Sequence, residues 1–182
     1  MTLLAHKDAD GNVQTLYDHL HNAGDLAESY ESEFSQISRM AALLHDVGKV
    51  AQQFQTYLIS GKGRRGEIPH ARQGAFVVND LPISNSAAEI VKEILELVIA
   101  KHHGELPDCI NEIGDEAFLT GFTEADKQNP KYAYGEIKQG LHDLDLDLQD
   151  TFQQAEKDVF DFAGRTKSLK LSKDSRYFYS GL

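Results

Sequence analysis

Ala41-Ala42-Leu43-Leu44-His45-Asp46-Val47-Gly48-Lys49 is the stretch that decides the fold of this chain. It joins an apolar helical run to an adjacent imidazole and carboxylate, after which a glycine and a lysine follow. A buried His-Asp pair is costly to desolvate unless something pairs with it, and a divalent metal ion is the usual partner. The stretch therefore predicts a helix end that carries two metal ligands.

The spacing of apolar residues on both sides of this stretch is helical almost everywhere. Thr15, Ser35 and Ser86 are the expected N-caps of three of the helices. Residues 1–14 are interpreted as a loose lead-in, and alternation typical of strands is almost absent. The predicted helices cover roughly 16–31, 36–46, 50–59, 70–79, 86–103, 109–119, 132–142 and 148–163. The fold class is therefore predicted to be all-α.

Composition narrows the class of protein further. The chain has 182 residues, a formal net charge of −11 and one cysteine, Cys109. This length suits a single domain, and one cysteine excludes an internal disulfide. The acidic charge argues against a broad basic face for duplex DNA. No run of about 18 apolar residues predicts a membrane segment, so a cytoplasmic location is expected.

Five of the eight histidines fall within or at the ends of predicted helices that have an apolar stripe. A single histidine of this kind is more often an ordinary core or surface residue, so the prediction depends on the set. Helical bundles can converge such side chains on one pocket, and imidazoles with a carboxylate suit Mn, Fe, Co, Ni or Zn. With its two oxygens, Asp46 is the group expected to bridge two ions. The five are His19, His45, His70, His102 and His103.

The other histidines lack this context. His142-Asp143 repeats the dipeptide, but no Gly-Lys follows and acidic residues surround it. This second copy is interpreted as a solvated helix end. His6 and His21 have no supporting context, and His21 is expected to face solvent.

Order and context then point to a family. A helical histidine, Leu-Leu-His-Asp-Val-Gly-Lys at 43–49, a histidine after a loop and a His-His pair resemble the HD-domain metallohydrolases. The resemblance covers about Leu16 to Gly104. Three stretches are most similar to the HD nuclease domain of CRISPR-associated helicase-nucleases from type I systems. They are Gly-Lys-Val-Ala-Gln-Gln-Phe-Gln-Thr-Tyr-Leu at 48–58, Pro-His-Ala-Arg-Gln-Gly-Ala at 69–75 and Ala-Lys-His-His-Gly at 100–104.

The resemblance implies an HD-domain helical bundle, with residues 1–182 forming a single HD nuclease domain that holds one or two ions of Mn, Co, Ni, Fe or Mg. It implies that His19, His45 and Asp46 hold the first ion, and that Asp46 also binds the second ion. It implies that the second ion is held by His70, His102 and His103. Lys49 would lie beside the site and steady a phosphate; the alternative is a helix-terminal lysine in water.

The resemblance also implies an activity and partners. The activity is hydrolysis of phosphodiesters in single-stranded DNA by metal-activated water, with Asp46 and Lys49 as catalytic residues. The partners are a superfamily 2 helicase module and a guide-RNA surveillance complex. Lys62, Arg64 and Arg65 form a basic patch that could guide a phosphate backbone, although a merely solvated loop is an equal alternative.

One feature of the family has no match at the expected position. The family carries a further aspartate on a late helix, and residues 176–182 resemble only the approach to that helix. Either the chain is C-terminally truncated, which we favour, or Asp158 or Asp161 substitutes. Two other functions stay open: an HD phosphohydrolase that acts on nucleotides, and a catalytically impaired helical docking module.

Overall fold

A computed structural model describes residues 2–30, 33–62, 66–105 and 122–165. Several predictions lie outside these ranges: the helix near 109–119, Cys109, Arg64 and Arg65 of the basic patch, and the residues 176–182.

Helix α2, Ser35–Leu44, lies at the centre of the fold. It packs against four other helices, and its Met40 and Leu44 side chains are fully buried. Burial on several sides explains why the second half of this helix, Met40–Leu44, consists of apolar residues only. The four neighbours are α1 (Leu16–Tyr30), α4 (Arg72–Asn79), α5 (Ser86–Lys101) and α8 (Leu148–Arg165).

Three shorter helices complete the bundle. Helix α3, Gln52–Ser60, follows a 3-10 turn formed by Val47–Val50. Helices α6, Glu124–Lys127, and α7, Tyr134–Gly140, come before α8. The all-α prediction is confirmed, and each predicted helix that lies in the described ranges begins and ends close to its predicted bounds, since apolar periodicity is strongest in long amphipathic segments. Helix α6, which has only four residues, was not predicted.

The first residues of the chain differ from the prediction. Residues 1–14 are not a loose lead-in, because strands β1, Leu4–Lys7, and β2, Val13–Thr15, pair antiparallel with an irregularity between Leu4 and His6. The buried amide of Gln55 fastens this hairpin to the bundle. Its Oε1 accepts from the Leu4 N–H at 2.9 Å and its Nε2 donates to the Leu4 carbonyl at 2.9 Å. So short a hairpin is marginal by itself, and this long-range clamp contributes to its stability together with the burial of Ala5.

Helix caps were predicted correctly for α1 and wrongly for α2 and α5. The Asp18 N–H donates to Thr15 Oγ1 at 3.0 Å, as the capping pattern predicts. For α5 the cap is Asn85, not Ser86, since Asn85 Oδ1 accepts from the N–H groups of Ala87 and Ala88. For α2 it is Asp158, whose Oδ2 accepts from the N–H of Gln36 at 2.8 Å. Ser35 is already the first helical residue.

None of the helices in the described ranges is long and apolar enough to cross a membrane.

Candidate metal centre

The carboxylate of Asp46 is the centre of the site. Asp46 lies just after α2, at the start of the Val47–Val50 turn, and is only 4% exposed. An ionised carboxylate at such depth needs charged or hydrogen-bonded partners, because burial without them is very unfavourable. Its two oxygens face different sets of side chains, which we call the His19 side and the His102 side.

The His19 side consists of the groups around Asp46 Oδ2. The Nε2 atoms of His19 and His45 lie 2.9 and 3.2 Å from this oxygen, and 3.2 Å from each other. Lys49 Nζ lies 2.7 Å from the same oxygen. Two imidazole nitrogens and one ammonium therefore lie within hydrogen-bonding distance of the same carboxylate oxygen.

The His102 side consists of the imidazoles around Asp46 Oδ1. His102 Nε2 lies 3.5 Å from this oxygen and His70 Nε2 lies 3.6 Å from it. His103 completes the group, with its Nε2 2.8 Å from that of His70. The spacing of the four ligand atoms, all within 4.8 Å of one another, suits a single ion.

Two glycines allow the helices to bring these histidines together. A Cβ on Gly48 would lie 2.2 Å from the carbonyl oxygen of His70, and one on Gly74 would lie 2.1 Å from that of Leu44. Both contacts are far too short for any side chain. Gly48 therefore lets the His70 backbone press against the turn after Asp46, and Gly74 lets α4 pack directly on the end of α2.

The Nδ1 atoms of three histidines bond to backbone carbonyls, which leaves their Nε2 atoms as the possible metal ligands. His45 Nδ1 donates to the Ala42 carbonyl at 2.7 Å, and His102 Nδ1 donates to that of Ile99 at 2.7 Å. His70 Nδ1 donates to the Ile68 carbonyl at 3.0 Å. Since a carbonyl only accepts, the proton lies on Nδ1, and in the form that binds a metal the Nε2 lone pair of each ring points into the cluster.

Two buried acceptor atoms of the cluster also indicate a cation site. Asp46 Oδ1 and His102 Nε2 have no hydrogen-bond partner among the described residues. A carboxylate oxygen and an imidazole lone pair cannot satisfy each other, because both accept. A divalent ion between them would satisfy both, so the residues present fit the metal that this donor set predicts.

The charges of the cluster shift its pKa values. Burial raises the pKa of Asp46, but the imidazoles of His102, His19 and His45 lower it by more, so it lies well below the usual range. Burial lowers the pKa of His45, but its contact with Asp46 raises that pKa above the ordinary value. Burial lowers the pKa of both His70 and His103. On the His102 side, these two rings are therefore neutral and able to ligate near neutral pH.

Lys49 lies beside the site, as predicted, and not in water. It is 5% exposed, and besides Asp46 its Nζ contacts the Ala5 carbonyl at 3.3 Å and His6 Nε2 at 3.4 Å. These contacts give the ammonium acceptors within the protein, and its contact with a phosphate stays a prediction.

His6 is the residue near the site that the sequence analysis missed. Its ring packs edge-on against His19 with centroids 4.8 Å apart, and burial and then Lys49 lower its pKa. One ligand atom each from His6, His19 and Asp46 could share an ion. No local sequence pattern predicts this position. His6 lies near the site because hydrogen bonds between Gln55 and Leu4 hold the hairpin against the bundle.

The structure places the remaining candidates away from the cluster. His142 and Asp143 are exposed, as predicted for a solvated helix end. His21 is half-buried instead of facing solvent, and its Nε2 bonds the Leu144 carbonyl at 3.0 Å. Asp158 caps the opposite end of α2 and Asp161 pairs with Lys157 at 3.2 Å, so neither replaces the late carboxylate.

A family model for the HD domain matches residues 16–133. No curated protein matches the chain. The matched region begins at α1 and includes His19, the His45-Asp46 pair, His70 and the His102-His103 pair. Because this match spans well over half of the chain, the protein belongs to the HD-domain family of metal-dependent phosphohydrolases.

Proposed function

We propose that this protein is a metal-dependent nuclease that hydrolyses phosphodiesters of single-stranded DNA during CRISPR interference. One observation carries the proposal: a buried carboxylate, Asp46, faces one set of imidazoles with each of its oxygens. This is the arrangement that a bridging ligand between two ions requires.

The chemistry follows from the donor set. Divalent ions would acidify a bound water and offset the charge that develops on the phosphate. The chain supplies the ligands, with Asp46 shared and His19, His45, His70, His102 and His103 around it. Backbone carbonyls that accept from Nδ1 fix the orientation of three rings, so little reorganisation is needed when an ion binds. Water as the nucleophile makes a nucleophilic side chain unnecessary.

The preference for single-stranded DNA depends on the resemblance of residues 43–58, 69–75 and 100–104 to the CRISPR-associated nuclease domains. We propose the same partners: a superfamily 2 helicase module, fused or separate, and a guide-RNA surveillance complex that exposes the strand. With a net charge of −11, attraction for DNA must be local. The bound ions would supply it together with exposed basic residues such as Lys62.

A second candidate, hydrolysis of nucleotides, has one observation in its favour. An apolar cavity of about 720 Å³ lies between α2, α5 and α8 and reaches His45 and His102. A nucleobase could enter such a space. Its described lining, however, offers only Ser38 besides these two histidines for hydrogen bonds, which is few for recognition of a base edge. We therefore favour the nuclease.

Incubation with circular single-stranded DNA and, separately, with a panel of nucleotides distinguishes the two functions. With Mn²⁺, Co²⁺, Ni²⁺ or Mg²⁺ added, the nuclease proposal predicts degradation of the circle and little phosphate release. A chelator should abolish the activity, and the variant Asp46→Asn should lack it. Phosphate release from nucleotides without DNA degradation would favour the second candidate and contradict the first.

A further inference from the structure

The ammonium of Lys49 lies on the same oxygen of Asp46 that a metal ion on the His19 side would need. Its Nζ is 2.7 Å from Asp46 Oδ2, and the side chains of both residues are 6% exposed. Most lysines beside active sites reach in from solvent on a mobile chain. This one is enclosed, and its charge is a fixed part of the site.

The N-terminal hairpin holds the ammonium in this place. The Ala5 carbonyl and His6 Nε2 lie 3.3 and 3.4 Å from Nζ. Ala5 lies where the pairing of β1 and β2 is irregular, which leaves its carbonyl free for a contact outside the ladder. Gln55 Nε2 also donates to the Lys49 carbonyl at 2.6 Å, so one amide ties both the hairpin and Lys49 to α3.

An ion on the His19 side would be close to this ammonium. Metal–oxygen distances in such sites are about 2.0–2.2 Å. An ion bound to Asp46 Oδ2 would therefore be at most about 5 Å from Lys49 Nζ, given the 2.7 Å contact. Two cations at that distance in a buried site repel strongly, because little solvent screens them.

The His102 side differs in this respect. Among the described residues, the ion pairs of Asp46 Oδ1 are with His70 and His102 only. Both are imidazoles that bind an ion in their neutral form, and His103 adds a third. An ion here gains the carboxylate charge without an ammonium on the same oxygen.

We infer that Lys49 is an internal cation that takes the place of the first metal ion, so that the protein binds one ion tightly on the His102 side and a second only weakly. The inference rests on the proposed metal site and adds to it the residue that sets the number of ions. His19 and His45 then serve chiefly to position Asp46.

Metal binding without any substrate tests this inference. Calorimetric titration of the metal-free protein with Mn²⁺, checked by elemental analysis after dialysis, gives the number of ions and their affinities. For the unmodified protein we expect one tight ion and a second that binds at least about 100-fold more weakly, because the Lys49 ammonium repels the second ion. In Lys49→Met, which keeps the apolar stem and removes the charge, the second ion should bind at least about tenfold more tightly.

Two controls isolate the charge. Lys49→Arg keeps a cation and should bind like the unmodified protein, and Lys62→Met removes an exposed lysine and should also change nothing. Circular dichroism and thermal melts show whether each variant is folded. The ion count of the unmodified protein tests the inference even if Lys49→Met does not fold.

Each outcome bears on the inference. Two ions of equal affinity in the unmodified protein would overturn it, and so would an unchanged second affinity in folded Lys49→Met. One tight ion that becomes two in Lys49→Met would support it. Absence of ions from both proteins would contradict the proposed metal site itself, whereas the former results would leave that site intact.

Discussion

The two oxygens of Asp46 have neighbours of different charge. Around Oδ1 are the imidazoles of His70 and His102, which lie in a loop and at the end of α5. Around Oδ2 are His19, His45 and the ammonium of Lys49. We infer from this comparison that the two sides of a shared carboxylate bind an ion with different affinity, since the surrounding charge differs.

The largest effect is expected from Asp46→Asn, because this change removes the charge that both sides share. Metal affinity should fall by more than about 100-fold, and nuclease activity should be lost. Asp143→Asn is the matched control, since it makes the same change in the exposed second His-Asp dipeptide. Elemental analysis after dialysis measures the bound metal. Unchanged metal content in Asp46→Asn would indicate the docking module instead.

Single histidine substitutions compare the two sides directly. His102→Ala should weaken the tight ion by at least about tenfold, because it removes a buried Nε2 atom that has no hydrogen-bond partner among the described residues. His19→Ala should affect that ion less, since the His19 side chain contacts the other oxygen of Asp46, Oδ2. The control His142→Ala removes an exposed histidine. Calorimetric titration with Mn²⁺ measures all three, and a stronger effect of His19→Ala would reverse the comparison.

A smaller effect is expected from Gly48→Ala, which acts on the His102 side through the backbone. The new methyl group would collide with the His70 carbonyl, so His70 must move away from His103 and Asp46. We expect metal affinity to fall several-fold and stability to fall by about 1–3 kcal/mol. Gly135→Ala in α7 is the control, because nothing lies within 4 Å of its added methyl group. Equal behaviour of the two variants would contradict the role of Gly48.

The smallest effect concerns Glu96, a second buried carboxyl that contrasts with Asp46. Burial raises the pKa of Glu96, although the amide of Asn79 donates to it at 2.8 Å. The folded state therefore holds this proton more tightly than the unfolded state, and stability falls as pH rises above the unfolded value of about 4.3. Glu96→Gln should raise the melting temperature at pH 8 and change it little at pH 4. Glu89→Gln in the same helix is the control, and an equal gain at both pH values would contradict the assignment.

Much of the fold could be predicted because most of its elements are helices with long apolar stripes. Periodicity located α1, α2, α5 and α8, and the order of the histidines located the cluster. The hairpin was missed because four- and three-residue strands have too little alternation to be recognised. It is stabilised by contacts with distant residues such as Gln55, more than 50 residues away in the chain.

Most residues of the site could be predicted from the sequence, but His6 and the position of the Lys49 ammonium could not. His45-Asp46 and His102-His103 are visible as motifs, whereas the cap of α2 by Asp158 bridges 122 residues and has no local signal. For Lys49, the position three residues after Asp46 predicted only that it lies near the site. That its ammonium is enclosed by Ala5 and His6 follows only from the packing of the hairpin.

Anomalous diffraction from crystals grown with Mn²⁺ tests the central claim most directly. A strong peak is expected about 2.0–2.3 Å from Asp46 Oδ1 and the Nε2 atoms of His70, His102 and His103. The His19 side should show a much weaker peak or none. A dominant peak at Asp46 Oδ2, or no peak at Asp46, would contradict the account.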